Sequence, residues 1–590
     1  MKNACLHEAF ERIANQFPKR IAVQCNDQKI DYENLNNWSN ALARHINAVI
    51  SGRENFVGIF MERSIEFIVA LLAIVKSGNA YVPIDSDTLN PGHNRFPKNR
   101  LSFMLEDADI SLVITKEAYS QYWDGMSLNI FNMENSLEQY QNDNLSINIS
   151  SDNMIYGIYT SGSTGYPKLT MVNHSSVMNL FNSIDKYIFS YADKNRQINT
   201  SMNAPFGFDA SVQQLIGLLN GYCITIIPEK VRSSAMQIIK YINDYRVNIL
   251  DCTPSQLKLL LDENLLTACS NVLQLIICGG EAIPQNMWQR LNEEKKIAIF
   301  NVYGPTECTV DSTYFLINGR DKKDVPTIGR PIDNTEIFIC DENGQEVSDG
   351  VVGEIYIAGA GVARGYYKRP ELNQEHFIEN AHTRLYRTGD LGRREPDGNI
   401  ECLGRMDDQV KIRSHRIELY EIMSILQKHP CISESLVTTH IDDDYAVLLA
   451  FIKTKDGITL NAVELSEFLS DYVPEYMIPN QFFIVSEWPL TNNGKIDKKN
   501  LIATYLTERN IPVGGLPKTK MEKELADIIK PILKVEDIGI NDSFMALGGD
   551  SLRVMTLLAE IYKEYDIEVD FTEFFLNPTI YHLIEIIETR

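Results

Sequence analysis

Short apolar runs separated by stretches of helical spacing set the frame for roughly the first 400 residues of the chain. NFVGIF, AYVPI, SLVIT, YCITIIP and LQLIICGG each have strand length and strand composition. Strands that alternate with helices predict α/β layering with largely parallel sheets. After NIECLGR the character changes. The charged stretch DDQVKIRSHRIELYEI is followed by the strand-like ESLVTTH and AVLLAFIKT and by the helical AVELSEFLSDYV, which predicts a small α+β unit ending near residue 505. A Gly/Pro break, NIPVGGLPKTK (Asn510 to Lys520), then precedes a piece of helical spacing. There, apolar residues recur at Leu525, Ile528, Ile529 and Ile532, and again at Leu552, Met555, Ala559 and Tyr562.

With 590 residues, the chain is long enough for several cores. A formal charge of −24 argues against nucleic acid or an anionic membrane as partner, since both demand a basic face. It leaves room for a small anionic ligand held by one local loop. Ten cysteines are scattered without a C-x-x-C pair, which predicts free thiols in a reducing compartment. The N-terminus lacks an apolar signal core, and FIVALLAIV stops at Lys76, too short to span a bilayer. The expected location is the cytoplasm.

The stretch IYTSGSTGYPK (Ile158 to Lys168) gathers hydroxyls, bare backbone N–H groups and one cation behind a strand, a chemistry suited to an oligophosphate. Taken alone it is equally compatible with a surface Ser/Gly loop. It is not a Walker loop, because Lys168 follows Gly165 by three positions. Further along come NVYGPTE (Asn301 to Glu307), YRTGDLGR (Tyr386 to Arg393), GRMDDQVKIRSHRIEL (Gly404 to Leu419) and NNGKIDKKNL (Asn492 to Leu501). In order and spacing these five motifs resemble those of adenylate-forming enzymes, the class of acyl-CoA synthetases, luciferases and peptide-synthetase adenylation domains.

The resemblance implies ATP as co-substrate and roles for particular residues. Thr160, Ser161, Gly162, Ser163, Thr164, Gly165 and Lys168 would hold the β- and γ-phosphates, and Glu307 would bind Mg²⁺, with Thr306 beside it. Tyr303 offers a ring to adenine, Asp390 would accept the ribose hydroxyls with Arg405 near, and Gly280, Asn301 and Gly304 complete the nucleotide set. Lys495, a solvated loop lysine by composition, would bridge the substrate carboxylate and the α-phosphate. Asp407 would be the hinge on which the small unit swings, removing Lys495 and bringing VKIRSHRIE to form a thiol tunnel. Three positions depart from the family: Leu169, Ser414 and Tyr420 stand where glycine is common.

FGFDASVQQ places Asp209 where the family's peptide-synthetase branch holds a substrate α-ammonium, a cation that a buried carboxylate needs. Alignment with the family gives a pocket of Asp209, Ala210, Gln213, Asp251, Ile277, Gly279, Val302, Val310 and Asp311. Two further carboxylates facing the side chain disfavour Leu, Val or Phe. A cationic side chain (ornithine, lysine) and an amide both remain open, and the pattern is similar to that of glutamine-activating domains. An acyl or aryl ligase with a fused carrier, and an inactive binding homologue, are the other readings. Asp209 speaks against the first, and the set Lys168, Glu307, Asp390 and Lys495 against the second.

In the tail, DSFMALGGDSLRVMTLL resembles the 4′-phosphopantetheine site of carrier proteins, with Ser551 as the attachment point. The implied organisation is a large adenylate-forming subdomain over 1–406, a small mobile α+β subdomain over 407–509, a linker at 510–519 and an all-α four-helix carrier over 520–590. Expected partners are an amino acid, a phosphopantetheinyl transferase, and condensation or other synthetase proteins that collect the loaded group. The chain reads as a two-part loading unit, standing alone or cut from a longer synthetase.

Overall fold

The structure, a computed structural model, describes residues 5–84, 97–162, 165–232, 234–380, 383–406, 409–412, 415–442, 445–455, 460–489, 496–507, 515–533, 535–545, 547, 549, 551–567, 569–570, 573–574 and 577–589. Among these residues the large subdomain holds three sheets. In the nine-stranded sheet six strands run parallel: Ile21–Cys25, Cys223–Ile226, Asn199–Met202, Ile249–Cys252, Leu275–Gly279 and Ala298–Tyr303. A seven-stranded sheet places Ala80–Pro83, Phe56–Phe60 and Leu112–Thr115 side by side, also parallel. All five apolar runs singled out in the sequence therefore lie in these two sheets.

The apolar run from Phe67 forms most of the helix Ile65–Lys76, in which every residue but Glu66 is buried. A helix apolar all round is a core helix. Its last residue, Lys76, donates hydrogen bonds to Asn36, Ser39 and Asn40 on the neighbouring helix, and the Glu11 carboxylate also acts on it.

The third sheet corrects the expectation of largely parallel pairing. Thr335–Cys340, Gly353–Gly359, Phe377–Asn380, Thr383–Arg394 and Ile400–Arg405 pair antiparallel throughout. Two of its connections turn on Asn343-Gly344 and Asp397-Gly398, with the glycines at φ 75° and 84°. These dipeptides are the usual means of joining antiparallel strands in a tight turn.

Beyond residue 406 the hydrophobic clusters separate. One gathers Ile412, Ile417, Ile422, Val437, Leu448 and Leu465, and another gathers Leu525, Ile529, Phe544, Val554, Leu557 and Ile587. In the tail the helices Lys520–Leu533, Ser551–Tyr565 and Ile580–Glu588 are described. The apolar stripe expected along the second of these is out of phase. Val554, Leu557 and Ile561 face the core, whereas Tyr562 is 39% exposed. The helix carries two adjacent apolar stripes, and only packing selects between them. The same helix touches the large subdomain through Lys563 Nζ, 3.2 Å from Glu263 Oε1. Among the described residues no helix is long and apolar enough to cross a membrane.

Candidate active site between the large and small subdomains

Strands Met154–Thr160 and Lys168–Asn173 are antiparallel, with Thr160 opposite Lys168, so the Ser/Gly loop is the tip of a hairpin. The next helix, His174–Tyr187, starts only after the return strand, so this loop does not open a helix as a Walker loop does. Gly162 must be glycine, because an added Cβ would overlap the Tyr166 carbonyl, and Gly165 has a left-handed φ of 83°. The Thr160 hydroxyl is buried without a hydrogen-bond partner. Ser161 donates to the Arg416 carbonyl at 2.6 Å, and the Gly162 N–H donates to Glu421 Oε2 at 3.2 Å. Leu169, one of the departures, is buried against Gly157, where an added Cβ would lie 2.9 Å from Leu169 Cδ1.

Lys168 is 2% exposed, with Nζ 3.9 Å from Glu307 Oε1 and 4.4 Å from the Tyr366 ring centre. Burial, helped by the nearby Arg416 charge, lowers it to about 8. Glu307 is fully buried; Oε1 accepts the Tyr366 hydroxyl at 2.6 Å and Oε2 accepts Arg416 at 2.8 Å. Burial opposes its ionisation, but Arg416, Lys168 and Tyr366 prevail and hold it down at about 2. A divalent cation at Oε2 would have to displace the Arg416 guanidinium. The carboxylate therefore suits magnesium in an arrangement where the hairpin Gln409–Ile412/His415–Glu418 is withdrawn.

On the other flank, the Tyr303 hydroxyl donates to Asp390 Oδ2 at 2.6 Å, and Arg405 reaches Asp390 Oδ1 at 2.9 Å. Lys411 Nζ lies 5.7 Å from the Tyr303 ring centre. Asn301 is buried, its amide donating to the Thr327 carbonyl at 2.7 Å. Gly304 is packed against the Val310 carbonyl, and Gly280, exposed, holds a φ of 88° just after the strand Leu275–Gly279.

The expected pocket residues converge at the carboxyl ends of the parallel strands, where α/β sheets bind ligands. Asp251 pairs with Ile277, and Gly279 with Val302. Asp209 immediately precedes the helix Ala210–Leu215, without a side-chain capping bond. Burial raises its carboxyl, a hydrogen bond with Thr306 opposes the rise, and Glu307 adds to it. Gln213 Nε2 donates to Asp251 Oδ2 at 3.0 Å. Asp311 has a buried Oδ2 with no partner, and burial together with Asp251 and Asp209 raises it well above the ordinary carboxyl range. Just before it, Thr309 and Val310 sit at φ 61° and 69°, left-handed conformations that β-branched residues resist. Such strain, of order 1–3 kcal/mol per residue, concentrates at functional sites.

Burial pushes Asp251 up from 3.8 to about 7. Because the folded value lies above the unfolded one, its stabilising contribution is complete below about pH 4 and is lost as the pH rises to about 7. Urea unfolding across that window is expected to show a loss larger by about 4 kcal/mol in wild type than in Asp251→Asn.

Ser163, Thr164, Asp407, Ser414 and Lys495 lie outside the described residues, as do Gly548 and Asp550. Tyr420 is 51% exposed, with Cε1 4.0 Å from where a Cβ on Gly165 would lie. Ser551 opens the helix Ser551–Tyr565, and Gly549 leaves the space into which the Phe544 ring packs. The sequence reading missed Arg416, Glu421, Lys411, Tyr366 and Arg100 as individual groups. It also missed an aromatic contact across the subdomains, with His415 stacked on Tyr476 at 3.6 Å and edge-on to Phe208 at 4.5 Å. The charges of VKIRSHRIELYE were the available signal.

Away from this site, Cys5, His7 and His174 bring their ligand atoms within 4.8 Å of one another. His174 Nδ1 accepts the Leu6 N–H, which places the ring proton on Nε2 and leaves neither nitrogen a lone pair for a metal.

Comparison with known proteins bears on all three units. Residues 10–367 match the family model for AMP-binding enzyme, residues 421–495 that for the AMP-binding enzyme C-terminal domain, and residues 523–587 that for a phosphopantetheine attachment site. Gramicidin S synthase 1 of Brevibacillus brevis is 35% identical over 596 residues, covering 100% of this chain and 52% of that protein. The dimodular nonribosomal peptide synthase of Bacillus subtilis (strain 168) is 35% identical over 597 residues, covering 98% of this chain and 24% of its own length. The chain thus spans about half, or less, of these curated relatives. Among solved structures, holo-PA1221, an NRPS protein containing adenylation and PCP domains bound to a vinylsulfonamide inhibitor, shares the fold. Its TM-score is 0.78 at 23% identity, over 99% of this chain and 98% of that one.

Proposed function

Because the chain belongs to the AMP-binding enzyme family and carries a phosphopantetheine attachment domain, we propose that it activates an α-amino acid, L-glutamine, and loads it on its own carrier. ATP and the amino acid give aminoacyl-AMP and pyrophosphate, and the aminoacyl group then passes to the phosphopantetheine arm on Ser551. The arm supplies the thiol. The residues of the chain supply position and charge. Lys168 and the loop Thr160–Gly165 hold phosphate, Glu307 serves the magnesium ion, and Tyr303, Asp390 and Arg405 hold the nucleoside. Lys495 neutralises the reacting oxygens, and Asp407 is the hinge. Domain boundaries at 406/407, 509/510 and 519/520 belong to the same proposal, as do a cytoplasmic location and downstream synthetase partners. A carrier domain implies a phosphopantetheinyl transferase.

The observation that carries the substrate assignment is the buried, unpartnered oxygen of Asp311 beside the Gln213–Asp251 pair. An apolar side chain would leave it unsatisfied, at a cost of about 1–3 kcal/mol. A carboxamide offers both a donor and an acceptor to a carboxyl that keeps its proton. A basic side chain (ornithine or lysine) is the second reading, favoured by the two acids Asp251 and Asp311 beyond Asp209, and it requires at least one of them to be ionised. Pyrophosphate exchange across glutamine, glutamate, ornithine, lysine, leucine and phenylalanine is expected to peak with L-glutamine. A maximum with leucine or phenylalanine would end this assignment.

A further inference from the structure

Arg63 stands between two sheets of the large subdomain. It follows the strand Phe56–Phe60 and precedes Ser64, which caps the helix Ile65–Lys76 by accepting the Phe67 N–H. Arg63 is buried, and its guanidinium meets backbone carbonyls at and just past the carboxyl ends of two parallel strands, Asn199–Met202 and Cys223–Ile226. Nη2 donates to the Met202 carbonyl at 2.6 Å, Nη1 to that of Ala204 at 2.7 Å and Nε to that of Ile227 at 3.0 Å. One turn into the helix, the Phe67 ring stacks on Phe206 with centroids 3.7 Å apart and planes 2° apart. The same segment is fastened from the pocket side. Gln214, in the helix Ala210–Leu215, accepts the N–H groups of Asn203 and Ala204 at 2.7 and 2.9 Å. The Asn203 amide donates to the Asp251 carbonyl at 2.9 Å. The segment closes with the Phe208 N–H on the Pro205 carbonyl, and the next residue is Asp209.

A buried carbonyl past the end of a sheet needs a donor from elsewhere. A planar guanidinium presents its N–H groups in one fixed fork, so a single side chain can hold three carbonyls in place relative to one another. A lysine ammonium on a flexible stem cannot. Binding groups feel such placement steeply, since a displacement of about 1 Å can cost about 10²-fold. We propose that Arg63 is a positioning residue for the amino-acid pocket, setting through residues 202–208 where the Asp209 carboxylate stands. The inference rests on reading Asp209 as the partner of the substrate α-ammonium. Arg63 holds backbone, and its effect reaches the amino acid through that backbone. The groups assigned to ATP stand on other segments, with Lys168 beside Glu307, and Tyr303 and Arg405 on Asp390.

The test is Arg63→Lys in the full chain, which keeps the charge and removes the fork. Pyrophosphate exchange is run with the amino acid that wild type turns over best. The same acid without its α-amino group serves as competitor (for L-glutamine, 4-carbamoylbutanoic acid). The KM for the amino acid is expected to rise about tenfold or more, while the KM for ATP and the inhibition constant of the desamino acid each change less than about twofold. An unchanged amino-acid KM would overturn the proposal and leave the Asp209 reading intact. Equal increases in all three constants would mark a general loosening of the fold and would overturn it too. If wild type binds the desamino acid as tightly as the amino acid, the Asp209 reading falls and the proposal with it. Because a buried arginine also serves folding, a second arm uses unliganded wild type alone. The amides of Asn203 and Ala204 are expected to exchange hydrogen as slowly as those of the strand Asn199–Met202, and exchange about tenfold faster or more would show that the segment is not held and overturn the proposal.

Discussion

Replacing Ser551 with alanine is expected to abolish carrier loading entirely while adenylation, followed by pyrophosphate exchange, proceeds. After co-expression with a phosphopantetheinyl transferase, intact-mass analysis should show one cofactor on the wild-type chain and none on Ser551→Ala. The effect is all-or-none if, as proposed, the hydroxyl is the point of covalent attachment and not one of several groups sharing a transition state. Ser551 starts the helix Ser551–Tyr565, and Gly549 packs against Phe544 nearby. A cofactor retained on Ser551→Ala would refute the assignment.

The second large effect concerns Glu307. Glu307→Gln is expected to lower pyrophosphate exchange by about 10²–10³-fold, the scale of losing one electrostatic stabiliser of the transition state, because the proposed magnesium site loses its carboxylate. It should also destabilise the fold, because Lys168 and Arg416 would be left as buried cations without their shared acid. The folded carboxyl is held at about 2, against an ordinary value of 4.5. A depressed value contributes stability above about pH 4.5, and that stability is lost as the pH falls toward about 2. The shift corresponds to about 3 kcal/mol at neutral pH. Denaturant titrations should show this gap between the two proteins near pH 7 and its narrowing below pH 4.5. A variant of wild-type stability at both pH values would show that the cations do not depend on Glu307.

Much of the architecture was legible because strand and helix periods leave direct marks. NFVGIF and LQLIICGG have strand length and a branched apolar composition, and both hold strands, Phe56–Phe60 and Leu275–Gly279. The antiparallel third sheet was also written in the sequence, in Asn343-Gly344 and Asp397-Gly398, but alternation of strands and helices elsewhere masked it. Tyr303, Asp390 and Arg405 were nameable from motifs, and the structure joins them by hydrogen bonds. Glu421 and Arg100 were not, because 321 positions separate them and no local pattern marks a pairing made only when two subdomains meet. The missing partner of Asp311 was illegible for the same reason. A carboxylate in a sequence carries no sign of whether its neighbours satisfy it.

The contact between Lys563 and Glu263 gives the carrier a fulcrum. Ser551 stands at the opposite end of the same helix, about 18 Å away along its axis. A tilt of about 30° about that fulcrum would sweep the attachment point through roughly 9 Å. An exposed ion pair of this kind is worth only about 0.2–1 kcal/mol. The helix is therefore a lever on a weak bearing, with the proposed attachment point at its free end.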